Sequence, residues 1–407
     1  MRDTVKLPVT LKARLLTLFL QKTVMSSVMP FMALYFTELY NSSISGSLLI
    51  FSLLINFISL LIGGRIADSF NKKRLVLVLM IFNVIIFFTM SASSYYESHL
   101  IYLFILAYFL QQIISGLILP SQEALALISV TDENREKYST YQYWLNNVSL
   151  SIGVIIGGLF YESSKEILFL ILSLVIIISI FIVLRYVDED YIDNQKFIWR
   201  NILIDTYESY KIAFRDKYYT LLLLGFSLVL LIELSMNNYV IVRLKEQFHT
   251  IEFWNFSIDG VLMFSILIVI NTVIVAIFSL YVGMLSEKLK FKNAIYISIA
   301  TYSIGYMIIM FSNNIYILII FMILASIGEM IYAPKYTSLR VSLIPKERRG
   351  SYSSVSALSS QFSSLLSRLT LVLYAFTTPI SISLVLFILS ILGFLLMIFV
   401  YKKVSTI

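Results

Sequence analysis

The chain has no cysteine, six prolines and two histidines, and charged residues make up only 14% of its 407 positions. Without cysteine there is no disulfide and no thiolate metal site, and the redox compartment is left unmarked. His99 and His249 are far apart in sequence, so no metal is expected. No Walker-type GxxxxGK[ST] segment and no other enzymatic motif occurs, so neither ATP hydrolysis nor an enzyme is expected, and no cofactor is implied. Scarcity of charge excludes a soluble fold: globular domains carry roughly 25% charge and about 45–50% apolar residues, whereas this chain is 59% hydrophobic. The net charge of +7 would suit nucleic acid in a soluble protein. In so apolar a chain the position of the bases matters more than their sum, and no nucleic-acid partner is expected.

Apolar runs are what the sequence has in abundance. A bilayer core needs about 20 apolar residues per helix, and twelve stretches qualify: 13–40, 44–68, 74–95, 98–130, 138–161, 165–187, 218–243, 258–288, 291–312, 315–344, 350–376 and 378–402. The first carries Arg14 and Lys22 near its start with no small-residue cleavage site after it, which reads as a retained helix rather than a signal peptide. Of the 31 bases, Lys165, Arg243 and Lys245 fall on one side and Lys22, Lys335 and Arg368 inside spans; the other 25 collect at the termini, after even-numbered spans and in the central loop. Both termini are therefore expected in the cytoplasm.

The sequence also repeats. Pro120, Glu133, Arg135 and Tyr138 recur at a constant offset of 214 as Pro334, Glu347, Arg349 and Tyr352, and Gly64-x-x-x-Asp68 has an echo in Gly283-x-x-x-Glu287. Internal self-similarity of this kind marks a duplicated architecture. The expected fold is an all-α membrane protein of twelve transmembrane helices: an N-terminal six-helix bundle (1–187), a cytoplasmic central loop (188–217) and a C-terminal six-helix bundle (218–407). In the loop, Phe197, Ile198, Trp199, Ile202, Ile204 and Tyr207 alternate with Lys196, Arg200 and Lys211, which fits an amphipathic helix on the membrane face and equally a solvated linker. Two bundles around a midplane site is the plan of secondary transporters.

After the second span comes GGRIADSFNKKR, residues 63–74. Gly64 permits close helix approach, and Asp68, one turn later, can meet orphan N–H groups at a nearby helix N-terminus. Arg65 and the bases Lys72, Lys73 and Arg74 can pair with carboxylates, or simply set topology. Glycine, three residues, an acid and a basic cluster after span two resembles the signature of the major facilitator superfamily. That resemblance implies the major facilitator fold, alternating access, and a cytoplasmic gate formed by Gly64, Arg65, Asp68, Arg74 and Arg135. In span five, Gly153, Gly157 and Gly158 in LSIGVIIGGLFY have the spacing of the helix-packing motif of drug:proton antiporters in that superfamily, with Val154 in place of the family's proline. The segments YQYWLNNVSLSIGVIIGGLFY, ELSMNNYVIVRL and LASIGEMIYAPKYTSLRVSLIPKERRGSYSSVSAL are similar to lactococcal multidrug transporters of the LmrP type. The resemblance gives Glu329 a part in binding cationic drugs. Three further family acids fall on Asn237, Gln142 and near Ile128, so their roles do not carry over.

An acid in an apolar span costs roughly 2.5–3.5 kcal/mol on insertion scales, and such residues usually face a cavity or a partner. Glu329 in SIGEMIYAP and Glu233, one turn before Asn237 and Asn238, are the principal candidates for binding substrate or proton. Glu123 lies nearer a cytoplasmic end, and Glu38 at an outer end. Lys22 and Arg368 are the bases able to neutralise them; if they do, the pocket suits anionic or amphoteric solutes instead of cations. Gln142 and Trp144, at the crowded start of span five with Tyr141, Tyr143, Asn146 and Asn147, are candidate cavity residues. Trp144 offers cation–π contact, worth about 2 kcal/mol when desolvated, although aromatics also gather at membrane interfaces. Ser356, Ser360, Ser363 and Ser367 repeat at a spacing that suits close helix contact.

The expected function is proton-coupled efflux of lipophilic or cationic compounds by a monomeric, multi-pass protein of the bacterial cytoplasmic membrane. The expected partners are a small-molecule substrate, the proton as coupling ion and the lipid bilayer. A carrier for one metabolite, peptide or metal-chelator is the alternative within transport, and a non-transporting receptor the alternative outside it.

Overall fold

The computed structural model describes residues 7–127, 130–131, 134–187, 215–253, 256–344 and 349–404. The central loop lies outside the described residues apart from its end at 215–217. Away from water every backbone N–H and C=O must be satisfied within its own segment, so apolar runs become helices. In chain order these are α1 (Val9–Val28), α2 (Met32–Leu39), α3 (Ser42–Ser69), α4 (Lys72–Tyr95), α5 (Glu97–Leu127), α6 (Arg135–Tyr186), α7 (Lys217–Leu234), α8 (Tyr239–Gln247), α9 (Gly260–Glu287), α10 (Phe291–Ser298), α11 (Ile304–Ile309), α12 (Ile315–Ser342), α13 (Arg349–Tyr374) and α14 (Pro379–Val404).

Interruptions have local causes. A 3-10 turn at Met29–Phe31, around Pro30, separates α1 from α2, because proline removes a helical donor. Helix α6 leaves helical geometry at Ser164 (φ −161°, ψ 44°), between the two runs that the sequence separates at 161 and 165. A π turn, Ile299–Ser303, joins α10 to α11. Among the described residues, ten helical stretches are long and apolar enough to cross a membrane. The expected spans 291–312 and 350–376 are not in that set, the first being divided by the π turn and the second rich in serine. One feature has no counterpart in the hydropathy pattern: Ile251–Phe253 pairs antiparallel with Phe256–Ile258 in a small hairpin.

By contacts the chain forms two compact units, Met1–Phe31 with Phe51–Ile198, and Met32–Ile50 with Trp199–Ile407. The internal repeat is visible in both. Helices α6 and α13 begin at Arg135 and Arg349, and Pro120 and Pro334 both lie inside helices. Tyr138 is buried against Leu7, Leu11 and Leu15, while Tyr352 is buried against Tyr219 and Leu223. Each of these tyrosines thus closes the core over the first long helix of its own unit.

In the first unit α1 lies along α6. A Cβ added at Gly153 would stand 2.2 Å from the Thr23 carbonyl oxygen, and one at Gly157 2.5 Å from that of Ser27. Only glycine permits this approach. In the second unit α13 packs on α7 through serines: Ser363 donates to the Ser227 carbonyl and Ser227 to that of Ser359, each at 3.0 Å. Ser359, rather than the exposed Ser360, belongs to this seam. Segment Met32–Ile50 is held there by Arg368, whose guanidinium donates to the Leu49 carbonyl. Arg243, counted by charge distribution with Lys165 and Lys245 on one side, is fully buried and donates to Asn313 Oδ1 at 2.5 Å and to the Ile309 carbonyl at 3.1 Å.

Candidate functional site

Two of the four candidate acids come together in the second unit. Glu233 sits in the last turn of α7, and its Oε2 accepts the Tyr302 hydroxyl at 2.9 Å. Glu329, in the middle of α12, accepts from Asn271 Nδ2 of α9 at 3.0 Å, and Ser326 Oγ lies 3.0 Å from the same nitrogen. The two carboxyls are close enough for the charge of one to act on the other. Both side chains are partly accessible. Among the described residues no lysine or arginine acts on either. Each acid is therefore held by a neutral donor, and among the described residues the pair has no compensating base.

Local sequence explains why three helices converge here. The π turn carries Tyr302, and π turns shift helix register, often at functional sites. Opposite it stands Gly328, where an added Cβ would lie 2.6 Å from the Tyr302 nitrogen and 2.5 Å from Thr301 Oγ1. Ser298 Oγ ties the contact by donating to the Gly328 carbonyl at 3.2 Å. The next residue, Glu329, is brought level with Tyr302 by this approach. Edge-on aromatics close the cluster, Tyr302 lying 4.9 Å from Tyr306 and 5.1 Å from Tyr332. Asn271, Tyr302, Tyr306 and Ser326 were not legible as site residues. The one available signal was Asn271 itself, a lone amide in the run ILIVINTVIV, since polar groups inside spans usually have partners.

The remaining candidates divide. Asn237 is exposed, and Asn238 is engaged with the Leu234 carbonyl and Ser367 Oγ, both at 3.1 Å. Lys335 donates to the Leu289 carbonyl at 3.1 Å, beyond the end of α9, where a cation complements the helix dipole. Glu38 is exposed at the end of α2, and Arg368 holds Leu49. In the first unit Lys22 and Gln142 line a cavity of about 350 Å³, whereas Trp144 is 55% exposed and does not line it. The side chains of Glu123, Gly64, Arg65, Asp68 and Arg135 lie outside the described residues, although their backbones are helical. Arg74 is exposed, and its N–H is capped by Asn71 Oδ1 at 2.9 Å, so that FNKKR opens α4. Gly158 is buried beside Gly157.

The cavity in the first unit differs from the carboxyl cluster in kind. Arg14 Nη2 donates to Gln122 Oε1 at 3.0 Å, and Gln122 Nε2 donates to Gln21 Oε1 at 3.3 Å. This relay leaves the Gln21 amide nitrogen buried without a partner. Lys22 is accessible in the cavity and has no hydrogen-bond or ion-pair partner among the described residues. No acid lines it among the described residues.

A bundle of membrane-length helices with ionisable clusters inside it defines a multi-pass membrane transporter rather than a structural anchor. The family model described as Major Facilitator Superfamily matches residues 15–367 and 232–406, and the chain belongs to that superfamily. A curated relative, the Na(+), Li(+), K(+)/H(+) antiporter of Planococcus maritimus, is 24% identical over 367 residues, covering 86% of this chain and 85% of its own. The peptide transporter POT in complex with sulfate has a similar structure, with TM-score 0.74 at 12% identity over 98% of this chain and 96% of that one. The nucleoside transporter NupG is similar too, with TM-score 0.70 at 14% identity over 96% and 99%. The curated relative is an antiporter, and both of these structures are of transporters.

Proposed function

We propose that the protein exports cations in exchange for protons by alternating access in a bacterial cytoplasmic membrane, with Glu233 and Glu329 as the exchange site. The observation that carries this reading is the uncompensated carboxyl pair. An acid in an apolar span without a countercharge is costly, and a bound proton and a bound cation are alternative ways of cancelling it. One displaces the other, and that exclusion is what coupling requires. Asn271 and Tyr302 hold the two carboxyls whichever occupant is present. Because Arg368 is engaged with Leu49 and no base among the described residues acts on either acid, neither Lys22 nor Arg368 is assigned to the pair, which favours cations over anions at this site. Gly64, Arg65, Asp68 and Arg74 are assigned to the cytoplasmic gate on the motif alone, and Arg135 on its place in the loop after the fourth span.

The likeness to LmrP-type transporters supports lipophilic organic cations as the cargo. A second reading, alkali cations, is favoured by the antiporter from Planococcus maritimus. Proteoliposomes with an internal pH indicator separate the two. Addition of tetraphenylphosphonium is expected to drive proton movement in the wild type and none in Glu329→Gln. A response to sodium, lithium or potassium alone selects the second reading, and a response to none of these cations refutes cation exchange.

A further inference from the structure

The first unit contains a site that the carboxyl pair leaves unused. We infer that its cavity binds the carboxylate of an amphiphilic organic anion, with Lys22 and Arg14 as the charged contacts and Gln21 as a neutral donor. The inference stands apart from the proposed cation exchange and does not depend on it.

Three observations carry it. The cavity of about 350 Å³ lies among α1, α4, α5 and α6, within the size range of small-molecule sites, roughly 300–1,000 Å³. Its polar groups are biased toward donation. The relay from Arg14 through Gln122 to Gln21 points every intermediate amide the same way, so an N–H is left at the end, the buried and unpaired Gln21 Nε2. Lys22 adds an accessible ammonium with no partner among the described residues. One buried acceptor, Asn83 Oδ1, is also unpaired and faces the opposite requirement. An anion satisfies Lys22 and Gln21 together, and charge-assisted hydrogen bonds of this kind are the strong ones.

The rest of the wall selects the tail. Leu18, Phe87, Leu119, Leu172 and Ile176 give the chamber an apolar side, so burial of a hydrocarbon chain adds to the head-group contacts. Inorganic anions lack that second part. Organic cations meet two bases.

The test is binding, not flux. Full-length protein in a neutral detergent is titrated with octanoate, octyltrimethylammonium, octanol and inorganic phosphate, and affinity is read from calorimetry and thermal shift. Octanoate is expected to bind best and to bind Glu329→Gln as well as wild type, so failure of cation exchange leaves this result untouched. Lys22→Gln is expected to weaken octanoate about tenfold, the loss of one charge-assisted contact, and Lys22→Arg to restore it. Gln21→Glu, which places an acid beside the ammonium without removing side-chain volume, is expected to produce a similar loss, and serves where Lys22→Gln does not fold. Octanoate affinity unchanged in both Lys22→Gln and Gln21→Glu overturns the assignment. So does binding of octanol, the ammonium or phosphate as tightly as octanoate.

Discussion

The two halves of this transporter share a scaffold and differ in what they enclose. Each half begins a helix at its repeated arginine, carries its repeated proline inside a helix and closes its core with its repeated tyrosine. Yet the first encloses bases and amides, and the second a pair of acids held by neutral donors. At the repeat offset of 214, Glu329 answers to Ser115, which lines the cavity of the first half. Duplication therefore preserved the positions that pack and left those that face the interior free to diverge. Packing positions are fixed by sterics and burial, whereas interior polar positions are fixed only by what they must bind.

That contrast can be broken in several places. The largest effect is expected from Glu233→Gln, which should abolish cation-driven proton movement in proteoliposomes while leaving octanoate binding by the first half intact. Next comes Gly328→Leu. Its side chain would meet the backbone of the π turn, overpacking typically costs about 1–3 kcal/mol, and a lowered melting temperature with loss of exchange is expected. Gly283→Leu is the control, since nothing lies within 4 Å of a Cβ there, and its melting temperature should match wild type. Tyr302→Phe removes one hydrogen bond to a carboxyl, and such bonds are worth about 1.5–3 kcal/mol when charged. Cation affinity is expected to fall about tenfold or more, with folding retained. Ser115→Glu sharpens the comparison by writing the acid of the second half into the first, and should abolish octanoate binding without supplying cation exchange. The smallest effect belongs to Trp144→Ala: a side chain 55% exposed that does not line the cavity should leave both activities unchanged.

Much of the fold was legible because hydropathy and helix breakers act locally. The break at Ser164 falls between the runs ending at 161 and starting at 165, and Pro30 marks the turn between α1 and α2. The hairpin at 251–258 escaped notice because three-residue strands impose no periodicity that stands out from a loop. The burial of Arg243 was not legible, since charge counting assigns a base to a side of the membrane and cannot show that Asn313 and Ile309 receive it. At the site, Glu233 and Glu329 announced themselves by the cost of an acid in an apolar run. Asn271 and Tyr302 did not. A lone asparagine in a span asks for a partner without naming it, a tyrosine asks for less, and their role follows from which helices are neighbours, a fact set by Gly328 and the π turn rather than by any motif.

The central claim is that one carboxyl pair holds either protons or a cation. It is tested most directly by proton release on binding: purified protein in weakly buffered detergent, a pH indicator, and addition of tetraphenylphosphonium. The account predicts that wild type releases protons as it binds and that the Glu233→Gln, Glu329→Gln double variant releases none. Equal release from both proteins, or saturable binding to wild type with no release at all, would contradict it.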